Sequence, residues 1–514
     1  MSLPSTIHHG ILNLPGASPE SKATAERLLE QDRQTHHCLW GKIGFHNHLS
    51  HHILAAYDLG ATAQQLNAIY ESERSTLDNI HLADRKQGIV EEQHVNILHT
   101  SWTQFLGQDK YYACYVKYFT GVIAELGASQ VLEQWVFSPE ANVSGVNMVL
   151  RFVNGAFHPL IQTGYAVEFQ SDAMLAQALA QAAIHSISTP EIFDLRSEPV
   201  QSNSDTQPEP SHSHRQPSQG QPLLAILRQA YDSAVMHPVM PYDSEALLSK
   251  RRDDALRDGS RAQEIIRLSN LWQVNTSLDG AAFEKECGDK IEEIIWAATL
   301  ILVASGKRGR KPRLDFFLMH ILNASLFLPS LVRTLQTKDS KAMLLRAVLP
   351  VMLIYLLVRG RPRIDAELMM SYSASPRPPG GLWNDLGPNK AALGDPRNDM
   401  HRNPWPEILA SVVHAPDAHA VKVIRTLCYA ARMYGTTAEG GALGAFLHSK
   451  GDQEDEQESH KGMARVDGTI FVRAAGIVMD TLGWVDFGQS PGDWDRSGLG
   501  WEDAWKEPEG SAGL

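Results

Sequence analysis

Cysteine is scarce in this chain of 514 residues, which contains only four, at positions 38, 114, 287 and 428. They lie far apart and form no CxxC pair, a pattern typical neither of a disulfide scaffold nor of a zinc ribbon. The N-terminal residues show no charged segment followed by an apolar run, so a signal peptide is not expected. These observations fit a reducing compartment, and we expect a cytoplasmic protein.

Positive charge and long hydrophobic runs are also in short supply. The 46 Lys and Arg residues face 59 Asp and Glu residues, which gives a net charge of −13. Because phosphate contacts need clustered basic side chains, we expect no nucleic-acid partner. The two most apolar stretches, Ile294–Ala304 and Val348–Val358, are well short of the ~20 residues that span a membrane. Both are predicted to be buried helices, and we expect no membrane association.

No fingerprint of a flavin or nucleotide cofactor is present. The nearest approach to GxGxxG is Gly440–Gly444, which lacks the required spacing and follows a predicted helix instead of a strand. Walker A, GxSxG and HExxH motifs are missing as well. The sequence therefore disfavours FAD, ATP and serine-hydrolase chemistry.

Helical periodicity dominates what is there, and alternation with a period of two is scarce. The segments with helical length and periodicity include Thr24–Asp32, Leu49–Tyr70 (interrupted at Gly60), Val95–Phe105, Tyr111–Glu125, Ala173–His185, Leu223–Tyr231, Ala262–Leu271, Lys290–Ala304, Leu314–Phe327, Met343–Val358, Pro406–His414 and Ala418–Tyr434. We predict a mainly α protein, a large helical bundle-like single domain.

One break in composition divides this helical chain. Gln201–Pro222 is almost devoid of apolar residues and rich in Pro, Ser and Gln, which predicts a disordered insertion. An N-terminal helical half (1–200) would then pack with a C-terminal half (223–514) into one catalytic unit. Four histidines are expected to be solvated bystanders: His8, His9, His212 and His214.

Histidine, in contrast to cysteine, is abundant: the chain has 22, and eight of them fall within the first 52 residues. His48 and His52 are four residues apart on a predicted helix and so share one face, where two neutral imidazoles can chelate a transition metal. His51 points about 100° away from His52. The alternative is that these imidazoles are hydrogen-bonded groups at the edge of the core.

Two further histidines, His158 and His320, stand in apolar helical contexts. A single histidine of this kind is typically a satisfied core residue. Two of them on separate helices can also converge with His48 and His52 in the bundle core, where helical proteins build metal and cofactor sites.

A charged trio, Asp417, His419 and Lys422, stands at the start of a predicted helix. Two interpretations stay open. The trio is either an N-terminal cap with a solvated lysine or part of a functional site.

Five segments of the chain, taken in order, carry a family resemblance. They are Asn47–His52 with Ala55–Ala61, Phe157–Tyr165 with Glu168 and Phe169, Phe316–His320, Asp417–Lys422, and Gly498–Trp505. This ordered set resembles the questin oxidase-like family of fungal secondary-metabolite oxidoreductases, which includes the one associated with aflatoxin and sterigmatocystin biosynthesis. The resemblance runs from about Thr35 to Trp505, with Gln201–Pro222 as an apparent insertion.

The resemblance implies an oxidoreductase of fungal polyketide metabolism that opens an anthraquinone ring with O2. The reaction would be a Baeyer–Villiger-type, NADPH-linked oxidation towards benzophenone and xanthone products. Some members of such a family resemble non-haem iron dioxygenases that use histidines and a carboxylated lysine. Carried over by position, the implied catalytic and metal-binding histidines are His48, His52, His158 and His320, and Lys422 is the implied lysine ligand.

Gln162 departs from this pattern, since a histidine is expected four residues after His158. A flat quinone needs an apolar pocket with a few convergent polar groups. The candidate wall residues are Trp383, Trp405, Tyr165 and Phe157.

Two other functions remain compatible with the sequence. The chain could be a non-catalytic helical scaffold or partner protein of a biosynthetic complex. It could also be an oxygenase that is cofactor-independent or uses external NADPH, with its histidines as acid–base groups.

Overall fold

The computed structural model describes residues 6–194, 215, 217–379, 391–395, 397–447 and 457–506. The fold is mainly α, as the sequence predicts. The α-helices of these residues are α1 (Pro19–Thr35), α2 (Leu49–Asp58), α3 (Ala63–Glu73), α4 (Tyr112–Leu126), α5 (Ala128–Leu132), α6 (Met148–Val153), α7 (His158–Glu168), α8 (Asp172–Ile184), α9 (Leu223–Asp232), α10 (Leu248–Leu256), α11 (Ser260–Asn270), α12 (Gly280–Val303), α13 (Phe316–Ser325), α14 (Leu328–Thr334), α15 (Lys338–Val358), α16 (Ala366–Ser371), α17 (Trp405–Val412), α18 (Ala418–Tyr434) and α19 (Ile470–Val478).

Strands are few in the described chain and form two small antiparallel hairpins. β1 (Leu39–Trp40) pairs with β2 (Phe45–His46), and β3 (Leu82–Asp84) pairs with β4 (Ile89–Val90). In the first hairpin the register places Leu39 opposite His46 and Trp40 opposite Phe45. This hairpin ends two residues before His48, so it delivers the first part of the histidine-rich segment to the protein interior.

One hydrophobic core runs through both halves of the chain. Helix α2 packs on α18, α7 contacts α13, and α13 contacts α18, so the helices that carry the candidate histidines meet across the two halves. Asp315 caps α13 by accepting from the amides of Phe317 and Leu318, and Asp417 caps α18 by accepting from the amide of His419. These caps satisfy backbone groups that would otherwise be unpaired at the helix starts.

A buried ion cluster joins the same two halves. The guanidinium of Arg425 on α18 donates from Nε to Asp58 at 2.8 Å and from Nη2 to Glu168. Asp58 also accepts from the backbone amides of Leu12 and Asn13. All three charged side chains are almost fully enclosed, so their pairing is needed to offset the cost of desolvation.

Two predicted segments differ in detail. The segment Val95–Phe105 is not an α-helix, because only Trp102–Phe105 forms a short 3-10 turn. The Ser101 hydroxyl accepts from the amide of Leu98, a local bond that competes with helix formation. Of the predicted insertion 201–222, the described residues are Arg215 and 217–222. Arg215 pairs with Glu292 on α12, which shows that this end of the segment contacts the helical core.

Among the described residues, one unbroken helix, α15, is long and apolar enough to cross a membrane. A bent pair formed by α13 and α14 passes the same test when the two are joined. Most of α15 is buried inside the protein, and the core helix of a soluble protein passes this test as well. The prediction of no membrane association stays a prediction.

Candidate active site

Three imidazoles from three helices form the centre of the site. His48 precedes α2, His158 begins α7 and His320 lies in α13. Each offers one nitrogen, and these nitrogens all lie within 4.8 Å of one another. The closest approach is 2.7 Å between Nε2 of His48 and Nε2 of His158. Such a convergence of nitrogen donors is the arrangement that a transition metal requires.

Backbone carbonyls fix the orientation of two of these rings. His320 donates from Nδ1 to the carbonyl oxygen of Phe316 at 2.8 Å, and His158 donates from Nδ1 to the carbonyl of Gly155. Because a carbonyl can only accept, Nδ1 carries the proton in both residues and Nε2 presents a lone pair. The Nε2 atom of His320 is buried and has no hydrogen-bond partner in the described structure. Both rings are therefore held in the tautomer that can bind a cation.

A fourth imidazole, that of His419, completes the group. Its ring lies edge-on to His48 at 4.5 Å between centroids and to His320 at 5.2 Å. Its Nδ1 lies 2.7 Å from Oδ1 of Asp417, and carboxylates in this position orient the histidines of metal sites. Its Nε2 is buried and unpartnered, as in His320.

Lys422 lies one turn further along α18 and is only 2% exposed. Its Nζ atom has no hydrogen-bond partner among the described residues. Burial lowers the pKa of Lys422 to about 8, against the opposing charges of Asp417 and Glu73. A buried amine with this pKa exchanges its proton near neutral pH and is available for chemistry that an ordinary lysine resists.

The imidazoles themselves are held neutral. Burial, reinforced by the charge of Lys422 and by neighbouring imidazoles, holds the pKa of His48, His158 and His320 well below the usual value. Burial likewise lowers the pKa of His419, although Asp417 opposes the shift. Neutral imidazole is the form that binds metals.

The turn before α7, which positions His158, has a strained backbone conformation. Gly155, Ala156 and Phe157 all have positive φ values, of 58°, 56° and 63°. Left-handed backbone at non-glycine residues costs about 1–3 kcal/mol each and persists where the surroundings over-determine it. A Cβ at Gly155 would lie 2.3 Å from Cε1 of His185, so glycine is required at that position.

A further histidine pair lies against this turn. The His46 ring stacks on His158 with centroids 3.7 Å apart and an interplanar angle of 3°. Its Nε2 lies 2.8 Å from Nε2 of His185. His46 therefore covers one face of the His158 ring and limits its rotation.

A cavity of about 400 Å³ opens beside the four imidazoles. Its walls include all four histidines together with apolar and aromatic side chains, among them Trp40, Phe45, Phe316, Phe317, Val351, Ile354 and Tyr355. This size and this mixture of apolar walls with a few polar groups are typical of a small-molecule site.

The structure brings His48, His158, His320 and Lys422 together, but it does not bring His52 to them. His48 is the N-terminal cap of α2, and its side chain leaves the end of the helix towards α7. His52 lies one turn inside the helix and faces α3, where its Nδ1 lies 2.5 Å from Oε1 of Glu73. The spacing of four residues does not stack the two rings because only one of them belongs to the helix proper.

Other predicted residues lie away from the cavity. Gln162 accepts from the Ser50 hydroxyl and lines a separate polar cavity of about 10 Å³. Phe157, Tyr165 and Trp405 belong to or pack on the hydrophobic core and do not line the 400 Å³ cavity. Trp383, His212 and His214 lie outside the described residues.

Some residues of the site were not singled out by sequence reasoning. His419 was recognised only as part of a charged trio, although its spacing of three from Lys422 places both on one helix face. No sequence pattern assigned His46 or His185 to the site, because their contact joins distant parts of the chain. For the same reason, the predicted wall residues differ from the aromatic residues that line the cavity.

Comparison with known proteins shows similarity along most of the chain. The sequence profile of the questin oxidase-like family matches residues 45–427, a span that contains the four imidazoles and Lys422. The chain is 26% identical to the Baeyer-Villiger oxidase AgnL3 of Paecilomyces divaricatus, over 97% of this chain and 95% of that protein. It is 25% identical to the oxidoreductase AflY of Aspergillus parasiticus (83% and 76% covered) and 26% identical to the questin oxidase of Aspergillus terreus (63% and 66% covered).

These similarities indicate an oxidoreductase that acts on a small molecule. The chain belongs to the questin oxidase-like family.

Proposed function

We propose that this oxidoreductase opens a ring of an anthraquinone-type polyketide with O2, at a non-haem iron site in fungal secondary metabolism. The observation that carries the proposal is the convergence of three neutral imidazoles at the wall of an aromatic cavity, with the ring of His419 and the unpartnered Lys422 beside them. The names of two relatives, a Baeyer-Villiger oxidase and a questin oxidase, support oxidative chemistry on an aromatic substrate.

The residues present fit a bound iron ion. The Nε2 atoms of His320 and His419 are buried without a partner, which is costly unless a ligand satisfies them. His48, His158, His320 and His419 would hold the metal, and neutral imidazoles are suitable ligands for iron. When bound, iron would supply the redox chemistry that oxygen activation needs and that no side chain in the cavity supplies.

Lys422 would act as a fifth ligand after carboxylation. A neutral lysine amine adds CO2 to form a carbamate with release of one proton, which changes a buried neutral group into a buried anion. Burial lowers the pKa of Lys422 to about 8, which favours the neutral amine required for this reaction. A negative oxygen ligand among four neutral imidazoles would also offset the charge of a divalent ion.

The remaining groups position and shield the substrate. Phe316, Phe317 and Tyr355 offer ring surfaces for a flat quinone, and the apolar walls keep water from the reacting carbon. Asp417 holds the Nδ1 proton of His419, and the Phe316 carbonyl does the same for His320, so neither ring turns when substrate enters.

The function is tested by anaerobic reconstitution with ferrous iron, followed by assay on emodin-type and versicolorin-type anthraquinones. Ring-opened product that depends on iron is the expected result. Less than about a tenth of an equivalent of iron with full turnover would refute the metal site.

A second arm of the same assay separates two oxidative reactions by the fate of ¹⁸O₂. A dioxygenase places both oxygen atoms in the product without added reductant. A Baeyer–Villiger monooxygenase places one atom in the product and one in water, and consumes one NADPH for each turnover. We expect turnover without NADPH, and a strict NADPH requirement with metal-free protein would favour the acid–base alternative.

A further inference from the structure

The charged side chains of the 400 Å³ cavity differ sharply from the rest of the protein. The chain has a net charge of −13, yet the described residues that line the cavity include two arginines, Arg252 and Arg496, and no Asp or Glu. The histidines there are held neutral by burial. The cavity is therefore positively charged inside an acidic protein.

Arg252 faces the cavity from α10 without a partner. Its Nε is buried and makes no hydrogen bond, and no carboxylate of the described chain lies within ion-pair distance of it. The preceding residue gives a contrast, since Arg251 donates to the carbonyls of Asp243, Ala246 and Ser497. One arginine of this helix holds the fold together, and its neighbour is left free towards the cavity.

Arg496 lies against Phe316, with its guanidinium carbon 3.7 Å from the ring centre. This stacking holds the planar group while leaving its N–H edges free, and part of the side chain reaches solvent. The adjacent Asp495 is already paired with Arg313. Asp417 and Asp493 attract the Arg496 charge from a distance, and neither forms an ion pair with it. A guanidinium left unpaired at an apolar wall is suited to bind a planar oxyanion.

We propose that Arg252 and Arg496 form an oxyanion-binding part of the cavity and that the substrate binds as an aromatic anion. The anion is an ionised phenol or a carboxylate on the ring system, since both offer oxygens to a guanidinium. The inference rests on the proposed function only for the aromatic nature of the ligand. It identifies two residues that select substrates by charge.

Equilibrium dialysis of metal-free protein without oxygen tests this inference. The probes are four small anthraquinones in two matched pairs. Anthraquinone-2-carboxylate is compared with anthraquinone-2-carboxamide, and ionised 2-hydroxyanthraquinone is compared with 2-methoxyanthraquinone. We expect at least one anion to bind about ten-fold or more tightly than its neutral partner, because hydrogen bonds to charged groups are the strong ones. Equal affinity within both pairs overturns the inference.

Variants assign the effect to residues. Arg252→Gln and Arg496→Gln should each weaken anion binding about ten-fold and leave the neutral probes within two-fold, whereas Arg252→Lys should retain most of the anion preference. Arg257→Gln is the matched control, because Arg257 is exposed at the end of the same helix and pairs with Asp254 outside the cavity. Equal weakening of anion binding by Arg252→Gln and Arg257→Gln overturns the assignment.

The neutral probes also report whether each variant keeps its cavity, so misfolding is distinguished from loss of charge. The pair that shows the preference tells whether the anion is a carboxylate or a phenolate. The assay contains neither iron nor oxygen, so failure of ring opening and failure of charge selection are separate results.

Discussion

His419 and His52 offer the sharpest test of which imidazoles bind the proposed metal. The resemblance to the family implied His52, whereas the structure brings His419 to the cluster instead. Replacing each in turn by alanine removes one imidazole from the interior in both cases. The two variants therefore differ in the position of the lost nitrogen and not in the chemistry of the substitution.

The structure sets the expected magnitudes. The buried Nε2 of His419 has no other partner, and its ring lies 4.5 Å from that of His48. Loss of an outer hydrogen-bond partner of a metal ligand already costs about 10–100-fold in affinity, so loss of His419 itself should cost more than about 100-fold. His52→Ala should change iron affinity by less than about three-fold, since no ring contact joins His52 to the described cluster.

His52→Ala should instead lower stability. It removes a hydrogen bond to Glu73 from a side chain that is 1% exposed and leaves a cavity, at a cost of about 3 kcal/mol in the free energy of unfolding. Iron affinity is measured by anaerobic titration against a chromophoric chelator, and stability by urea unfolding. His52→Gln, which can keep the bond to Glu73, serves as the control for misfolding. Loss of iron binding in both His52 variants, with normal binding in His419→Ala, would refute the assignment.

Three further predictions concern stability, measured by urea unfolding. Burial lowers the pKa of His460 to about 4, so this residue alone contributes about 3 kcal/mol to the stability that the folded chain loses as the pH falls from 6.5 to 4. His460→Gln should reduce that loss by about this amount, and the same change at the exposed His9 should leave it intact. Gly155→Ala should cost at least about 2 kcal/mol, and Gly145→Ala only about 1, because both have positive φ but only the first Cβ meets a neighbour. Arg425→Met should cost about 3–5 kcal/mol, since it leaves two buried carboxylates without their cation.

Local patterns predicted the elements of this fold better than the contacts between them. The periodicity of Leu49–Tyr70, with a stop at Gly60, corresponds to α2 and α3, and the Ala-rich Ala173–His185 corresponds to α8. These assignments succeed because helical spacing of apolar residues depends only on neighbours in the sequence. The prediction of a helix over Val95–Phe105 was wrong because side-chain hydrogen bonds to the backbone outweighed a weak helical periodicity.

Only part of the candidate site was predicted, because the sequence pattern reports local structure and not contacts between distant segments. His158 and His320 were selected from their apolar helical surroundings, and both lie in the cluster. His52 was paired with His48 because residues four apart share one face of a helix. That spacing applies inside a helix, whereas His48 is the residue before the first turn of α2. The positions of Arg252 and Arg496 in the cavity depend on how helices pack, which no single segment encodes.

The four imidazoles have a consequence for how the protein comes to be active. His48 and His158 are made early during synthesis, and His320 and His419 follow much later in the chain. Bringing these residues together closes very long loops, so no contact between sequence neighbours can start the formation of the site. The site forms only after the two halves of the chain have packed together. A nascent chain that ends before Lys422 can bury a first set of helices but cannot assemble the site. The order of these residues in the chain therefore makes assembly of the site a late step.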